Sequence, residues 1–160
     1  MAPMSNKAAL LEALAPVLEI VRTVDPADPQ AAAILSERLP LDDPRIAAVA
    51  RTLRAAVAAG ENVCHREAGG VRYSRVLKAA GDDLSVDAVH MSAPGPGHLH
   101  PKGEMDLCFA TDGTPTFDGN APGWTVYPPG SWHVPTVASG TMDILYFLPG
   151  GAIQFGPKPS

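Results

Sequence analysis

The hydrophobic period of the chain changes near Gly60, and this change constrains the fold more than any other feature. Before Gly60, alanine is abundant and apolar side chains recur at helical spacing. After it, short runs rich in β-branched residues lie between Gly, Pro, Asp or Asn. The first pattern predicts helices and the second predicts strands. We therefore predict an α+β chain, with a helical segment over residues 1–60 and a β-domain over residues 61–160.

Three helices are predicted in the first segment. Residues 8–21 carry an apolar stripe, and Pro16 lies inside it, where a proline is expected to kink or split a helix. Asp28 and Asp43 each precede a proline, which is typical of an N-cap followed by the first helical position. Because these helices are too short to form a core alone, we expect them to pack on the β-domain, on a partner subunit, or on both.

The second segment is predicted to consist of many short strands. Gly69-Gly70 is a two-glycine hairpin signal between the first two of them. The predicted strands cover residues 62–67, 71–77, 84–91, 104–110, 114–117, 124–127, 133–137 and 142–147. Short strands at this spacing are typical of a β-sandwich or a closed barrel.

Charge and composition exclude several classes of partner. The 160-residue chain has a formal net charge of −5 and only 12 lysines and arginines, with no basic run, so nucleic-acid binding is not expected. The apolar stretch 8–21 is interrupted by charged residues and a proline, so we expect no membrane span. No secretory-type apolar region follows the N-terminus, and the two cysteines form no CxxC pattern. These features predict a cytoplasmic protein with free thiols.

Three histidines and a glutamate fall in two tight motifs. His98 and His100 are two residues apart, so an extended strand directs both to one side. Glu104 follows a Pro-Lys-Gly turn that can return its carboxylate to that side, and a Pro-Pro-Gly turn precedes His133. Three imidazoles and a carboxylate suit one divalent ion such as Fe, Mn, Zn, Co or Ni. Such a set leaves a coordination position for water or substrate.

The two motifs, HxHxxxE and then PxGxxH, resemble those of the cupin superfamily. The resemblance implies a small antiparallel β-barrel, also called a double-stranded β-helix or jelly roll, after the N-terminal helices. It also implies that His98, His100, Glu104 and His133 are the metal ligands.

Residues 97–155 are more specifically similar to a cupin family, the 4-hydroxylaminobenzoate lyases. The similar stretches are GHLHPKGEMDLCF, WTVYPPGSWHVPTV and LYFLPGGAIQF. The resemblance implies conversion of 4-hydroxylaminobenzoate to 3,4-dihydroxybenzoate (protocatechuate) with release of ammonia, in nitroaromatic degradation. It also implies a homodimer or a higher homo-oligomer.

That reaction needs proton transfer and recognition of an aromatic carboxylate. Glu104 itself, Asp106 and His90 are candidates for the proton transfer. On a regular strand Asp106 shares a face with Glu104, whereas His90 lies on an earlier predicted strand.

Arginines and tyrosines are the candidates for substrate binding. Arg72 and Arg75 lie on opposite faces of one predicted strand, so one of them could face the barrel and bind the substrate carboxylate. Tyr73 shares a face with Arg75, and Tyr127 precedes the second motif; either could contact the ring.

Two other functions remain open from the sequence. One is a different cupin enzyme, such as a dioxygenase or an isomerase, which would use the same ligand set. The other is a non-enzymatic ligand-binding or sensor module. Sensors often carry a DNA-binding helix-turn-helix, whereas the only clustered basic residues of the helices are Arg45, Arg51 and Arg54. This lack of a basic surface disfavours the sensor.

Overall fold

A computed structural model of the chain describes residues 4–159, so the ends of the two predicted segments, residues 1–3 and 160, lie outside the described part. In that part, α-helices come first and β-strands follow. The helices are α1 (Asn6–Val21), α2 (Ala31–Arg38) and α3 (Pro44–Ala59). The strands are β1 (Arg66–Ala68), β2 (Val71–Leu77), β3 (Leu84–Met91), β4 (His98–His100), β5 (Glu104–Phe117), β6 (Gly123–Tyr127), β7 (Ser131–His133), β8 (Val137–Pro149) and β9 (Gln154–Phe155).

The strands form two antiparallel sheets. The larger sheet has the order β1-β2-β3-β8-β5-β6, and the smaller one has the order β7-β4-β9. The pairing of β3 with β8 and of β8 with β5 brings together strands that are distant in sequence. The predicted order, N-terminal helices followed by a cupin-type antiparallel β-barrel, is confirmed.

The two faces of the larger sheet contribute to two different cores. Leu107, Leu145 and Phe147 belong to a cluster that also contains buried residues of all three helices. Cys108 and Ile144 belong to a second cluster on the opposite face, inside the barrel. Because side chains alternate along a strand, every second residue of β5 and β8 faces the helices and the others face the interior.

The first two helices differ from prediction, and the third agrees with it. Pro16 lies within α1 without dividing it. The carboxylate of Asp28 accepts a hydrogen bond from the backbone N–H of Gln30, which stabilises a turn, so α2 begins only at residue 31. α3 begins as predicted with Asp43 as N-cap, and it ends at Gly60 in the left-handed conformation.

The strands also differ in extent. The predicted strand 62–67 is reduced to β1, because Asn62 and Cys64 have positive φ angles of 63° and 51° that break an extended run. The predicted strands 104–110 and 114–117 are one strand, β5, with register shifts against β8 between them. The long β8 pairs with β5 along its length, so the turn residues within it do not end the strand.

The N-cap of α3 predicts a pH dependence of stability. Hydrogen bonds from the Arg45 side chain and backbone lower the pKa of Asp43 from 3.8 to about 2. The resulting stabilisation is present above pH 3.8 and is lost as the pH falls towards 2. We expect Asp43→Asn, which keeps a capping oxygen, to lower the melting temperature near neutral pH and to match the wild type near pH 2. Circular dichroism melts would test this, and a difference independent of pH would contradict it.

No described helix is long and apolar enough to cross a membrane.

Candidate metal centre

Four side chains from three strands meet inside the barrel. His98 and His100 lie at the two ends of β4, Glu104 begins β5, and His133 ends β7. The pairing of β4 with β7 places His98 directly opposite His133. The three-residue turn before Glu104 includes Gly103 at φ 89°, where a side chain would meet Pro26 at 2.8 Å, so glycine suits this position.

The ligand atoms of the four side chains lie within 4.8 Å of one another. Glu104 is central: its carboxylate oxygens lie 3.1 Å from His100 Nε2, 3.4 Å from His98 Nε2 and 3.7 Å from His133 Nε2. The Nε2 atoms of His98 and His133 are 3.2 Å apart. His98, His100 and Glu104 are fully buried, and His133 is the least enclosed of the four.

Neighbouring acceptors determine which nitrogen of His98 and His100 carries the proton. His98 Nδ1 lies 3.2 Å from the Pro96 carbonyl, which can only accept. His100 Nδ1 lies 2.9 Å from the Ser131 hydroxyl, whose own proton is donated to the Pro128 carbonyl. Both histidines therefore donate from Nδ1 and direct an unprotonated Nε2 at Glu104.

His133 has a carboxylate as its Nδ1 partner. Its Nδ1 donates to Asp118 Oδ2 at 2.6 Å, so its Nε2 also faces the cluster with a lone pair. Burial lowers the pKa of His133, but Asp118 and Glu104 together raise it above its usual value. Asp118 additionally accepts hydrogen bonds from the Tyr127 hydroxyl and from the backbone N–H of Thr136.

The cluster fits a divalent metal ion. His100 Nε2 and both oxygens of Glu104 are buried without a hydrogen-bond partner. Three nitrogen lone pairs and a carboxylate that converge without protons between them repel one another unless a cation lies among them. The donor set is that of Zn, Fe, Mn, Co or Ni sites.

Asp106 lies beside this cluster. It is fully buried on the interior face of β5, and neither of its oxygens has a hydrogen-bond partner. Burial and the charge of Glu104 raise the pKa of Asp106 well above its usual range. Of the candidates for proton transfer, Glu104 and Asp106 are therefore brought together.

His90, the third candidate for proton transfer, lies on the opposite face of the larger sheet. Its neighbours Val89 and Met91 line the interior, so the alternation of the strand turns His90 towards the helices. There its Nδ1 bonds to Asp143 Oδ1 at 2.6 Å. This placement argues against a catalytic role and corrects the prediction, because proton transfer needs hydrogen-bond reach of the reacting atoms.

An apolar cavity of about 310 Å³ opens beside His98. This volume is at the lower end of the range of about 300–1,000 Å³ that is typical of small-molecule sites. The principal lining side chains are Tyr73, Asp87, Val89, Met91, His98, Tyr146, Ile153 and Phe155. Tyr146 and His98 are buried, whereas Tyr73 and Phe155 are 38% and 63% exposed. The cavity therefore extends from an aromatic opening at the surface inward to His98, one residue of the histidine–glutamate cluster.

The two candidate arginines are separated by the sheet. Arg75 shares the cavity face with Tyr73 and binds Asp87, a lining residue, through its Nε at 2.7 Å. Arg72 lies on the helix face, where its guanidinium donates to the carbonyls of Cys64 and Val57. The charged end of Arg72 thus connects β2 to the end of α3 and lies away from the cavity, whereas the predicted substrate contact requires it to face the cavity.

Tyr127 lies against the metal cluster on the side away from the cavity. Its ring stacks on His100 with a centroid distance of 5.1 Å. It is absent from the lining of the cavity beside His98, but with His133 and Asp118 it lines a second cavity of about 540 Å³, and its hydroxyl donates to Asp118. Its contacts are thus with the ligands and their supports.

Several residues of the site were missed by the sequence reasoning. Asp118 precedes a glycine and is typical of a turn, and Ser131 lies within the second motif without a distinguishing pattern. Tyr146 and Phe155 reach the cavity from strands whose register only the fold defines. The one local signal for Asp118 is that it is an acidic residue upstream of the second motif.

Two curated bacterial proteins with similar sequences are both described as 4-hydroxylaminobenzoate lyases. A 4-hydroxylaminobenzoate lyase of Pseudomonas putida is 35% identical over 52% of this chain and 58% of its own length. A 4-hydroxylaminobenzoate lyase of Nocardioides sp. (strain LMS-CY) is 30% identical over 58% of this chain and 62% of its own length. The chain thus matches less than two thirds of the length of these curated relatives.

Known structures share the fold over nearly the whole chain. The DMSP lyase DddQ from Ruegeria pomeroyi DSS-3 aligns with a TM-score of 0.52 and 18% identity, covering 95% of this chain and 98% of that one. A structure described under DMSP lyases RdDddP and RnDddQII gives a TM-score of 0.56 at 14% identity with the same coverage.

The model of the family PnbB, 4-hydroxylaminobenzoate lyase, matches residues 12–155. Because this match covers most of the chain, including the histidine–glutamate cluster, the chain belongs to the 4-hydroxylaminobenzoate lyase family.

Proposed function

We propose that the chain is a metal-dependent lyase that converts 4-hydroxylaminobenzoate to protocatechuate and ammonia. The observation that carries the proposal is the buried cluster of three Nε2 lone pairs and one carboxylate at the inner end of an apolar cavity. Membership of the lyase family supports the substrate. The reaction balances with water as the second reactant: the N–O, C–N and ring C3–H bonds break, two C–O bonds form, the hydrogens from C3 and from water end on ammonia, and no external oxidant is needed.

In this proposal His98, His100, Glu104 and His133 bind one divalent ion per chain. The metal, when bound, supplies Lewis-acid assistance to N–O cleavage and activates water. The hydrogen bonds at each Nδ1 hold the three imidazoles in the Nδ1–H tautomer, which leaves the Nε2 lone pair for the metal. The donor set is preorganised because these partners are themselves fixed by turns and strand pairing.

The substrate ring would occupy the apolar cavity. Tyr73, Tyr146 and Phe155 offer aromatic surface to a flat ring, and burial of the inner end excludes bulk water. The hydroxylamine would point inward to His98, and the carboxylate would point outward to the half-exposed Arg75. Asp106 would supply the proton that the departing nitrogen or oxygen needs, since it is the buried carboxyl group beside Glu104.

Arg75→Met is expected to raise the KM for 4-hydroxylaminobenzoate with little change in kcat. The variant removes the cation that would bind the carboxylate, and it leaves Asp87 at the cavity as an unpaired like charge. A lost charge-assisted hydrogen bond of about 1.5–3 kcal/mol corresponds to a KM about 10- to 100-fold higher.

Arg72→Met is the matched control, because it removes a guanidinium from the same strand but from the helix face. We expect it to lower the stability and to leave KM near the wild-type value. Equal effects of the two substitutions on KM would contradict the carboxylate role of Arg75. The double variant Arg75→Met/Asp87→Asn should recover part of the loss, because it removes the repulsive charge.

The proposed activity is tested with purified protein of measured metal content. Ammonia, protocatechuate and dissolved oxygen would be followed together with 4-hydroxylaminobenzoate as substrate. We expect equal amounts of both products without oxygen consumption, and loss of both after chelation. Oxygen consumption would favour a dioxygenase, and a fully metallated protein that releases no ammonia would contradict the lyase. Light scattering on the same sample would test the proposed homo-oligomer.

A further inference from the structure

The three histidines of the cluster differ in what supports them. Two of them donate from Nδ1 to uncharged oxygens, whereas His133 donates to the carboxylate of Asp118 at 2.6 Å. A carboxylate partner increases the electron density on the imidazole, so the opposite nitrogen binds a metal ion more strongly through its lone pair. His133 is also the least enclosed of the four cluster residues, so water competes for it most readily.

Asp118 is itself held tightly in place. Its Oδ1 accepts a hydrogen bond from the Thr136 backbone N–H at 2.8 Å, and its own N–H donates to the Thr136 carbonyl at 2.8 Å. Its Oδ2 accepts from the Tyr127 hydroxyl as well as from His133. Its φ angle of 50° is left-handed, a conformation that few residues other than Gly, Asn and Asp adopt readily.

We propose that Asp118 is the positioning residue of the metal centre, acting through His133. It fixes the Nδ1–H tautomer of His133 and aims the Nε2 lone pair at the point where the other ligand atoms converge. With its backbone in the left-handed conformation, the one Asp118 carboxylate bonds to the Thr136 backbone, to His133 and to Tyr127 together. The inference rests on the metal centre of the proposed function, but not on its substrate.

Asp118→Asn is the sharpest test, because asparagine keeps the size and tolerates the positive φ. Its amide oxygen can retain the bond to Thr136, which leaves the amide N–H₂ facing His133. That group donates instead of accepting, so His133 must move its proton to Nε2 or lose the hydrogen bond. We expect the affinity for Zn²⁺, measured by competition with a chromophoric chelator, to fall about 10- to 100-fold.

The tautomer supplies a readout that a purely structural role would not move. In metal-free protein with ¹⁵N-labelled histidine, long-range ¹H–¹⁵N spectra distinguish the two tautomers of each ring. We expect His133 to change from the Nδ1–H to the Nε2–H form in Asp118→Asn, while His98 and His100 keep theirs. Wild-type Zn²⁺ affinity in the variant, or an unchanged His133 tautomer, would overturn the proposal.

Two further variants control the test. Asp42→Asn makes the same change of charge at an exposed aspartate outside the cluster, and we expect it to leave the tautomer and the Zn²⁺ affinity near wild type. Asp118→Gly, which suits the left-handed backbone, should lower the affinity as Asp118→Asn does if the latter folds poorly. Absence of Zn²⁺ binding by the wild type would overturn the metal centre and this role. A Zn²⁺-loaded protein without lyase activity would overturn only the proposed substrate chemistry.

Discussion

Replacing His100 by alanine is expected to abolish both stoichiometric metal binding and lyase turnover. His100 is completely buried, and its Nε2 is a ligand atom without another partner, so no nearby side chain or bulk water can take its place. A metal ion contributes several kcal/mol to transition-state stabilisation, which corresponds to a loss of about 10³-fold or more in kcat. Metal analysis after gel filtration and the coupled ammonia and protocatechuate assay would measure the two effects.

His65→Ala is the matched control for this substitution, because His65 is an exposed histidine outside the cluster. It should retain metal and activity. The metal-free forms of wild type and His100→Ala should have similar thermal unfolding curves. The substitution removes packing, but it also removes one of the nitrogen lone pairs that repel one another when no metal is bound. A folded His100→Ala protein with full metal content and full activity would refute the metal centre.

Asp106→Asn is expected to produce the second large effect, a loss of kcat with metal still bound. The two side chains have the same shape, so the packing is kept, but an amide cannot act as the general acid that we propose for the buried Asp106 carboxyl. Loss of a positioned general acid lowers rates by about 10²- to 10⁴-fold. Single-turnover rates at equal metal loading would isolate this step.

Cys108→Ala is the companion substitution, since it changes the next interior residue of β5 without removing an acid. We expect its kcat to remain within about threefold of the wild type, which is too small a change for loss of a transition-state contact. If Asp106→Asn lost its metal, Asp106 would be a support of the centre and its role in proton transfer would be wrong. Retention of full kcat in Asp106→Asn would contradict that role directly.

Some features of the site follow from local sequence alone. The spacing of His98 and His100 and the turn before Glu104 direct three side chains to one side, because strand periodicity depends only on neighbouring residues. In the same way Asp43 and Gly60 define both ends of α3, since caps act within one turn of the helix. The Pro-Pro-Gly turn before His133 gave the same kind of local signal, and the resemblance to cupins also implied that His133 joins the other three side chains.

Other features depend on which face of the sheet the helices cover. The alternation in β2 places Arg72 and Arg75 on opposite faces, but the sequence does not say which face is interior. Packing of the apolar helices on one face turns Arg72 and His90 away from the cavity, where they pair with backbone carbonyls and with Asp143. Burial of the helical stripes decides this choice, and that burial is a long-range effect.

The sequence by itself therefore determined the order of helices and strands, the residue types of the metal cluster and their local directions. Tertiary structure decided which arginine meets the cavity, that Asp106 is buried beside Glu104, and that Asp118 supports His133. The physical reason is the range of the forces. Periodicity, turns and caps act over a few residues, whereas desolvation of Asp106 and the bond from His133 to Asp118 depend on the registers of β5, β7 and β8.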